Sequence, residues 1–389
     1  MAGTKGCNEG LDNWNNSSNF WPLACYYMSK KFDKTFFYLI LLLVAIGLVF
    51  IADISTPQAL NYFNDKFYFL KQQAVWASLG IIAMLVISKI HYNFWKKIAV
   101  PFFFLSCLLL IVVLIPGLSL KALGARRWIS IGNINFQPSE VIKLSLAIYL
   151  AKVADSKITK PLAFFIPLAV VCGLIMIQPD LGTTLVIGTI GMVQIFMSGI
   201  ALIPFLGWII SGIISVAVLI MTSPYRRDRI MTFLEVGSDP LGKEYHIRQI
   251  LLALGSGGLF GLGIGQSRQK YLFLPEASTD SIFAAIAEEI GFIGSIALVL
   301  LFAYFVFKAI KIAANAPDQF SKILAIGIAA WIGGQIILNL SSMTALTPLT
   351  GIPLPFFSYG GTSLLMILAS CGILLNISKY GTQKITSRR

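Results

Sequence analysis

The chain has 389 residues, 57% hydrophobic and 12% charged, with a mean hydropathy of +0.79; soluble domains carry about 25% charged residues. Composition therefore excludes a soluble enzyme and points to a membrane protein. The 30 Lys+Arg against 17 Asp+Glu leave a formal charge of +13, but the basic residues sit between apolar runs instead of forming a patch, so no nucleic-acid partner is expected. Cys7, Cys25, Cys107, Cys172 and Cys371 have no CxxC spacing, and His91 and His246 are the only histidines. Neither a disulfide framework nor a zinc site is favoured.

Residues 1–27 are rich in Asn and Gly and lack a charged segment ahead of an apolar one, so they do not read as a cleavable signal peptide. Met28, followed by Ser29-Lys30-Lys31, reads as a more natural start, and 1–35 as a cytoplasmic tail. Apolar runs then follow at 36–53, 73–91, 98–116, 139–153, 161–177, 182–198, 202–222, 281–307, 323–343 and 359–378. Each is read as a crossing of about 30 Å of hydrocarbon. The expected fold is an all-α polytopic membrane protein with about ten transmembrane helices in one domain, 36–378, with a large extracytoplasmic loop, 223–280, between helices 7 and 8 and a basic cytoplasmic tail, 379–389.

Lysines at 30, 31, 34, 89, 96, 97, 152, 157, 160, 308, 311 and 322 and the basic C-terminal residues fall on the side of the N-terminus. The short loops opposite hold only Lys66, Lys71, Lys121, Arg126 and Arg127. The positive-inside rule then puts both termini in the cytoplasm. The expected place is a cytoplasmic membrane, crossed several times.

Charges are scarce, so their clusters are informative. The 223–280 loop mixes Arg226, Arg227, Asp228, Arg229, Lys270, Glu276 and Asp280 with Ile247, Ile250, Leu251 and Leu254 at helical spacing, a pattern of amphipathic helices at the interface. A glycine-rich run at 255–265 permits close approach of backbone to a ligand. Asp280 stands where the chain enters the eighth apolar run; a helix N-cap is the other reading for it. Glu288 and Glu289 lie about two turns deeper, and Glu288 falls nearer the Asp280 face, which makes it the cavity candidate. Arg126 and Arg127 beside Trp128 suit a phosphate or diphosphate, or else snorkel toward headgroups. Glu140 and Lys143, at i,i+3, should form a structural pair.

These segments together resemble the SEDS family (shape, elongation, division and sporulation) of FtsW/RodA-type peptidoglycan polymerases. The matching motifs are GARRWI at 124–129, QPSEVIKL at 137–144, QPDLGTT at 178–184, YRRDRI at 225–230, DPLG at 239–242, GSGGLFGLGIG at 255–265, LPEASTD at 274–280 and PLTGIPLPFFSYGGTS at 348–363. Gln269-Lys270 and Thr350-Gly351-Ile352-Pro353 look more FtsW/SpoVE-like than RodA-like. Three positions depart from the family pattern: Ser278 stands where His is frequent, Ser281 where Phe is frequent, and His246 where Gln is expected.

The resemblance implies an inverting glycosyl transfer on lipid II, a disaccharide-pentapeptide on undecaprenyl diphosphate, at the extracytoplasmic face. It assigns Asp280 as general base. Arg126, Arg127, Arg226 and Arg229 become diphosphate candidates, with a divalent cation such as Mg²⁺ or Mn²⁺ and no organic cofactor; Lys270, Glu276 and Glu288 join them as substrate-binding candidates. The implied partners are a class B penicillin-binding protein transpeptidase and other membrane proteins of the divisome or elongasome. Two rival readings are a lipid II flippase, which needs polar groups through the whole depth, and a non-catalytic divisome scaffold, which needs no acid at 280.

Overall fold

The computed structural model describes residues 32–116, 119–122, 125–131, 134–156, 160–222, 245–271 and 273–381. The expected tail before residue 32, the 223–244 half of the large loop with Arg226 and Arg229, and residues 382–389 lie outside them.

In chain order the helices are α1 (Lys34–Ile54), α2 (Thr56–Phe63), α3 (Tyr68–Lys89) and α4 (Asn93–Val112), and the strands β1 (Ser119–Ala122), β2 (Ala125–Ile131) and β3 (Ile134–Phe136). After them come α5 (Pro138–Asp155), α6 (Leu162–Ile177), α7 (Leu181–Met197), α8 (Leu202–Thr222), α9 (Tyr245–Ser256), α10 (Ile282–Ala314), α11 (Gln319–Met343) and α12 (Gly361–Tyr380).

The expected all-α membrane architecture holds, with one small addition: β1, β2 and β3 form an antiparallel sheet in that order, pairing Ser119 with Ile129 and Ile129 with Phe136. The alternating Arg127, Ile129 and Ile131, followed by Gly132-Asn133, carried that signal.

The expectation of about ten long spans needs correction. Among the described residues six helices, α1, α3, α4, α10, α11 and α12, are long and apolar enough to cross a membrane. With 16 and 17 residues, α6 and α7 reach only about 24–26 Å at 1.5 Å per residue. Helix α5 has the length, but Glu140, Lys143, Lys152 and Asp155 make it too charged. An apolar run marks burial in protein as readily as in lipid, and the sequence does not distinguish the two.

Burial shows where the core lies. Helix α5 is buried on nearly every side, from Pro138 to Val153, and α11 and α12 bury long stretches beside it. Small residues set the closest crossings: a side chain on Gly80 would run into Leu368 of α12, and one on Gly372 into Met84 and Ile87 of α3. Helix α1 starts at an Asp33 cap that accepts from Phe36 N at 3.1 Å. It buries Phe36, Ile40, Leu43, Val44, Gly47, Ile51 and Ile54 at helical spacing.

Helix α10 is broken at Gly291 (φ 67°, ψ −171°). Ahead of the break, Ile282 to Glu289 are buried continuously; beyond it, Phe292, Ile293, Ile296 and Leu300 are exposed. The glycine-rich run docks on this break through its backbone. Leu262 N and Gly263 N donate to the carbonyls of Glu288 and Glu289 at 3.0 Å, and Phe292 N donates to Gly258 O at 2.9 Å. A Cβ on Gly261 or Gly291 would overlap backbone atoms of the other segment. The close approach that these glycines permit is to α10 itself, not to a ligand.

Candidate active site

Asp280 sits at the end of a tight turn that the LPEASTD residues build. Leu274 is buried, its N–H donating to Gln269 O at 3.0 Å, and Glu276 takes a left-handed conformation (φ 51°). The Glu276 carbonyl thereby accepts from both Thr279 N and Ser281 N at 3.1 Å, while its exposed carboxylate accepts from Thr279 Oγ1 at 2.8 Å. The N-cap of α10 is Ser281, with no side-chain capping bond. Asp280 is one residue upstream, so capping does not explain it.

Three other parts of the chain clamp this turn. Asn339 of α11 donates to Asp280 O at 2.9 Å and to Ile352 O at 2.8 Å, hanging the 350–354 segment beside the aspartate. Gly351, at φ 68°, belongs to that segment, and a Cβ there would lie 3.3 Å from Asp280 Oδ2. Ser358 Oγ donates to Thr279 O, Tyr359 N donates to Ser278 O at 2.9 Å, and Ser278 Oγ donates to Gln58 Oε1 of α2 at 3.0 Å. Among the buried atoms with no hydrogen-bond partner are Thr347 Oγ1, Thr350 Oγ1 and Asn339 Oδ1. The 344–358 segment carries no charged residue, and its place at the aspartate is visible only in three dimensions.

The start of α7 reaches the same place. Asp180 caps it, accepting from Thr183 N at 3.0 Å and from Thr183 Oγ1 at 2.9 Å, and a side chain on Gly182 would overlap Thr350 O and Ile352. Arg127 binds this turn from β2, donating from Nε to Gln178 O at 3.3 Å and from its terminal nitrogen to Pro179 O, with Asp180 Oδ2 3.8 Å away. The register of β1 and β2 shifts here, Lys121 pairing with Arg126 and Leu120 with Trp128, so Arg127 is an extra, bulged residue of β2; its guanidinium is committed to the 178–180 turn. Arg126 is cross-strand from Lys121 and forms no ion pair among the described residues.

This geometry predicts different phenotypes for the two arginines. Arg127→Ala and Arg127→Lys should both lower folded yield and glycan synthesis, because lysine lacks the fork that spans two carbonyls. Arg126→Ala should raise KM for the lipid substrate and leave the unfolding temperature unchanged. Wild-type synthesis and stability from Arg127→Lys would refute the first part, and an unaltered KM in Arg126→Ala the second.

The remaining candidates are engaged within the protein. Glu288 accepts from Ser256 Oγ, Arg268 N and Gln269 N at 3.2 Å and also from Ser267 Oγ. That is the geometry of a loop anchor, and not of a cavity wall. Lys270, only 5% exposed, donates to Asp53 Oδ1 and Gly265 O at 2.8 Å and to Glu289 Oε1 at 3.1 Å. Burial opposes its charge, but these hydrogen bonds outweigh burial and hold its pKa above the ordinary lysine value. Asp53 went unnoticed in the sequence, its only signal being a lone acid in the last turn of the first apolar run. Glu140 and Lys143 meet at 2.7 Å; Lys143 also donates to Gln335 Oε1 at 3.2 Å, and Gln335 Nε2 donates to Pro353 O at 2.9 Å. This buried pair thus supports the segment that flanks Asp280. Two of the departures from the family pattern touch each other, His246 Nε2 and Ser281 Oγ lying 2.8 Å apart.

A family profile described as "Cell cycle protein" and covering FtsW, RodA and SpoVE matches residues 33–383. The chain belongs to the FtsW/RodA/SpoVE family. It is 43% identical to stage V sporulation protein E of Bacillus subtilis over 87% of this chain and 95% of that one. It is 39% identical to a probable peptidoglycan glycosyltransferase FtsW of Trichlorobacter lovleyi over 90% and 93%. The fold matches a solved structure described as the structural coordination of polymerization and crosslinking by a peptidoglycan synthase complex, with a TM-score of 0.72 and 28% identity over 90% of this chain and 98% of that one. The rod shape determining protein RodA of Thermus thermophilus matches with a TM-score of 0.68 and 27% identity over 92% and 100%. Sequence similarity thus runs to the SpoVE and FtsW members, and structural similarity extends to RodA.

Proposed function

We propose that Asp280 is the general base of the polymerisation this chain catalyses. The chain is a peptidoglycan glycosyltransferase that joins lipid II into glycan strands. The observation that carries the assignment of Asp280 is its setting: a carboxylate just ahead of α10, its backbone clamped by Asn339 and its Oδ2 beside Gly351, where an added Cβ would come within 3.3 Å. A carboxylate there takes the proton of the acceptor GlcNAc 4-hydroxyl as the new glycosidic bond forms and the lipid diphosphate departs. The leaving diphosphate needs cationic stabilisation, for which Arg126, Arg226 and Arg229 are the candidates, while Arg127 orients the 178–180 turn.

Basic-residue asymmetry supports an extracytoplasmic site, with substrate already on the outer leaflet. No group of three or more His, Cys, Asp or Glu that could hold a metal exists among the described residues. A divalent cation would therefore enter with the diphosphate, which supplies most of its oxygen ligands, and use Asp280 or Glu276 as the protein carboxylate. The flippase reading lacks a polar path: among the described residues the charged pair Glu140–Lys143 and Gln194 are at most 2% exposed, with the pair bonded to each other and Gln194 to the carbonyls of Ala147 and Ile323. The SpoVE and FtsW relatives favour a septal or sporulation role.

The partner is a class B penicillin-binding protein, docked on the outer faces of α10 and α11. A groove of about 390 Å³ there is lined by Leu254, Phe283, Phe292, Ile296, Leu300 and Thr344 among others. Purified protein should polymerise labelled lipid II, faster with its transpeptidase, and a cysteine at Ile296 should crosslink to the partner's transmembrane helix. No polymer under either condition would overturn the enzyme reading, and crosslinks confined to α1–α4 would overturn the docking face.

A further inference from the structure

We propose that the corner between α1 and α2 is a bracket that positions Asp280, with Asp53 and Gln58 as its two positioning residues. The inference rests on Asp280 being the base. Asp53, in the last turn of α1, holds Lys270 at 2.8 Å, where the segment leading to Asp280 begins. Gln58, in the first turn of α2, holds Ser278 at 3.0 Å, two residues before Asp280. One corner thus grips both ends of the 270–278 segment.

The corner itself is stiff. Ser55, fully buried, donates from Oγ to Ile51 O at 2.6 Å, and Thr56 Oγ1 donates to Ala52 O at 2.7 Å, so the end of α1 and the start of α2 share hydrogen bonds. Pro57 pre-sets the first turn of α2. Lys270 is the shielded partner, its side chain 3% exposed against 23% for Asp53. Lys270 therefore has Asp53, Glu289 and the Gly265 carbonyl as its partners, and loss of Asp53 removes the only one on α1.

The bracket is separable from the stability of α1. That helix is anchored far from the corner by the Asp33–Lys308 ion pair at 3.3 Å and by Phe36 stacked on Phe305 at 5.2 Å. Releasing one bond at its outer end should leave the helix in place and free the turn to move. Displacing a reacting group by about 1 Å costs on the order of 100-fold in rate, whereas the binding of the lipid is set elsewhere.

The test uses purified full-length protein, labelled lipid II and amide hydrogen exchange. Asp53→Ala and Gln58→Ala should each lower kcat on the order of 10- to 100-fold and change KM by less than about 2-fold. Exchange across 273–281 should speed up in both. Gln58→Glu keeps an acceptor for Ser278 Oγ and should restore most of the rate, which a merely space-filling role would not predict. Wild-type kcat in folded Asp53→Ala and Gln58→Ala, a loss carried by KM alone, or equal losses in Gln58→Glu and Gln58→Ala would overturn the bracket. Failure of the base assignment looks different: Asp280→Asn would then be active, whereas failure of the bracket shows as unchanged exchange and rate in the corner variants.

Discussion

Asp280→Asn should abolish glycan polymerisation while the protein folds and inserts normally. Asparagine has nearly the same shape, and the position is held through its backbone, by the Asn339 bond to Asp280 O and by the turn at Glu276. The substitution therefore removes proton-accepting ability with little change in packing. Loss of a general base lowers rates by about 10²- to 10⁴-fold. The measurement is polymer length and yield from labelled lipid II, with unfolding temperature as the control. Wild-type yield from well-folded Asp280→Asn would end the assignment, and a low yield with a collapsed unfolding temperature would show that the carboxylate is structural.

The second large effect should come from the Glu140–Lys143 pair. Both residues are 2% exposed and their charged groups lie 2.7 Å apart, with the Trp331 ring 5.2 Å from Lys143 Nζ. Glu140→Gln leaves the ammonium facing only a neutral amide and the ring, and Lys143→Met leaves a buried carboxylate with no cation. Breaking a buried pair from one side costs about 3–5 kcal/mol. Each single variant should therefore show a sharply lower unfolding midpoint in detergent, and the double variant should recover part of it. Strict additivity would mean that the two charges do not interact. Because Lys143 also reaches Gln335, and Gln335 holds Pro353 O, each single variant should also lose activity beyond its loss of folded protein.

Some of this architecture was legible in one dimension. Glu140 and Lys143 are three residues apart on a helix, so their contact follows from the helical repeat alone. Asp280 stood out because an acid at the edge of an apolar run needs a reason to be there. The buried face of α9, Ile247, Ile250 and Ala253, lies in the segment where helical spacing was visible. Local periodicity and the cost of placing charge in lipid suffice for such conclusions.

In one dimension the chain reads as membrane-embedded and largely helical, with an acid at position 280 that needs a reason to be there. Packing in three dimensions settles how many helices are long enough to span, that Arg127 holds the 178–180 turn, that Glu288 anchors a loop, and that Asp53 meets Lys270. The physical reason is sequence separation. Asp53 and Lys270 are 217 positions apart, and Asn339 reaches back 59 to Asp280. No local pattern encodes such contacts; they arise when packed helices bring distant residues together, and the hydropathy that drives the packing is the same for a helix facing lipid and one facing protein.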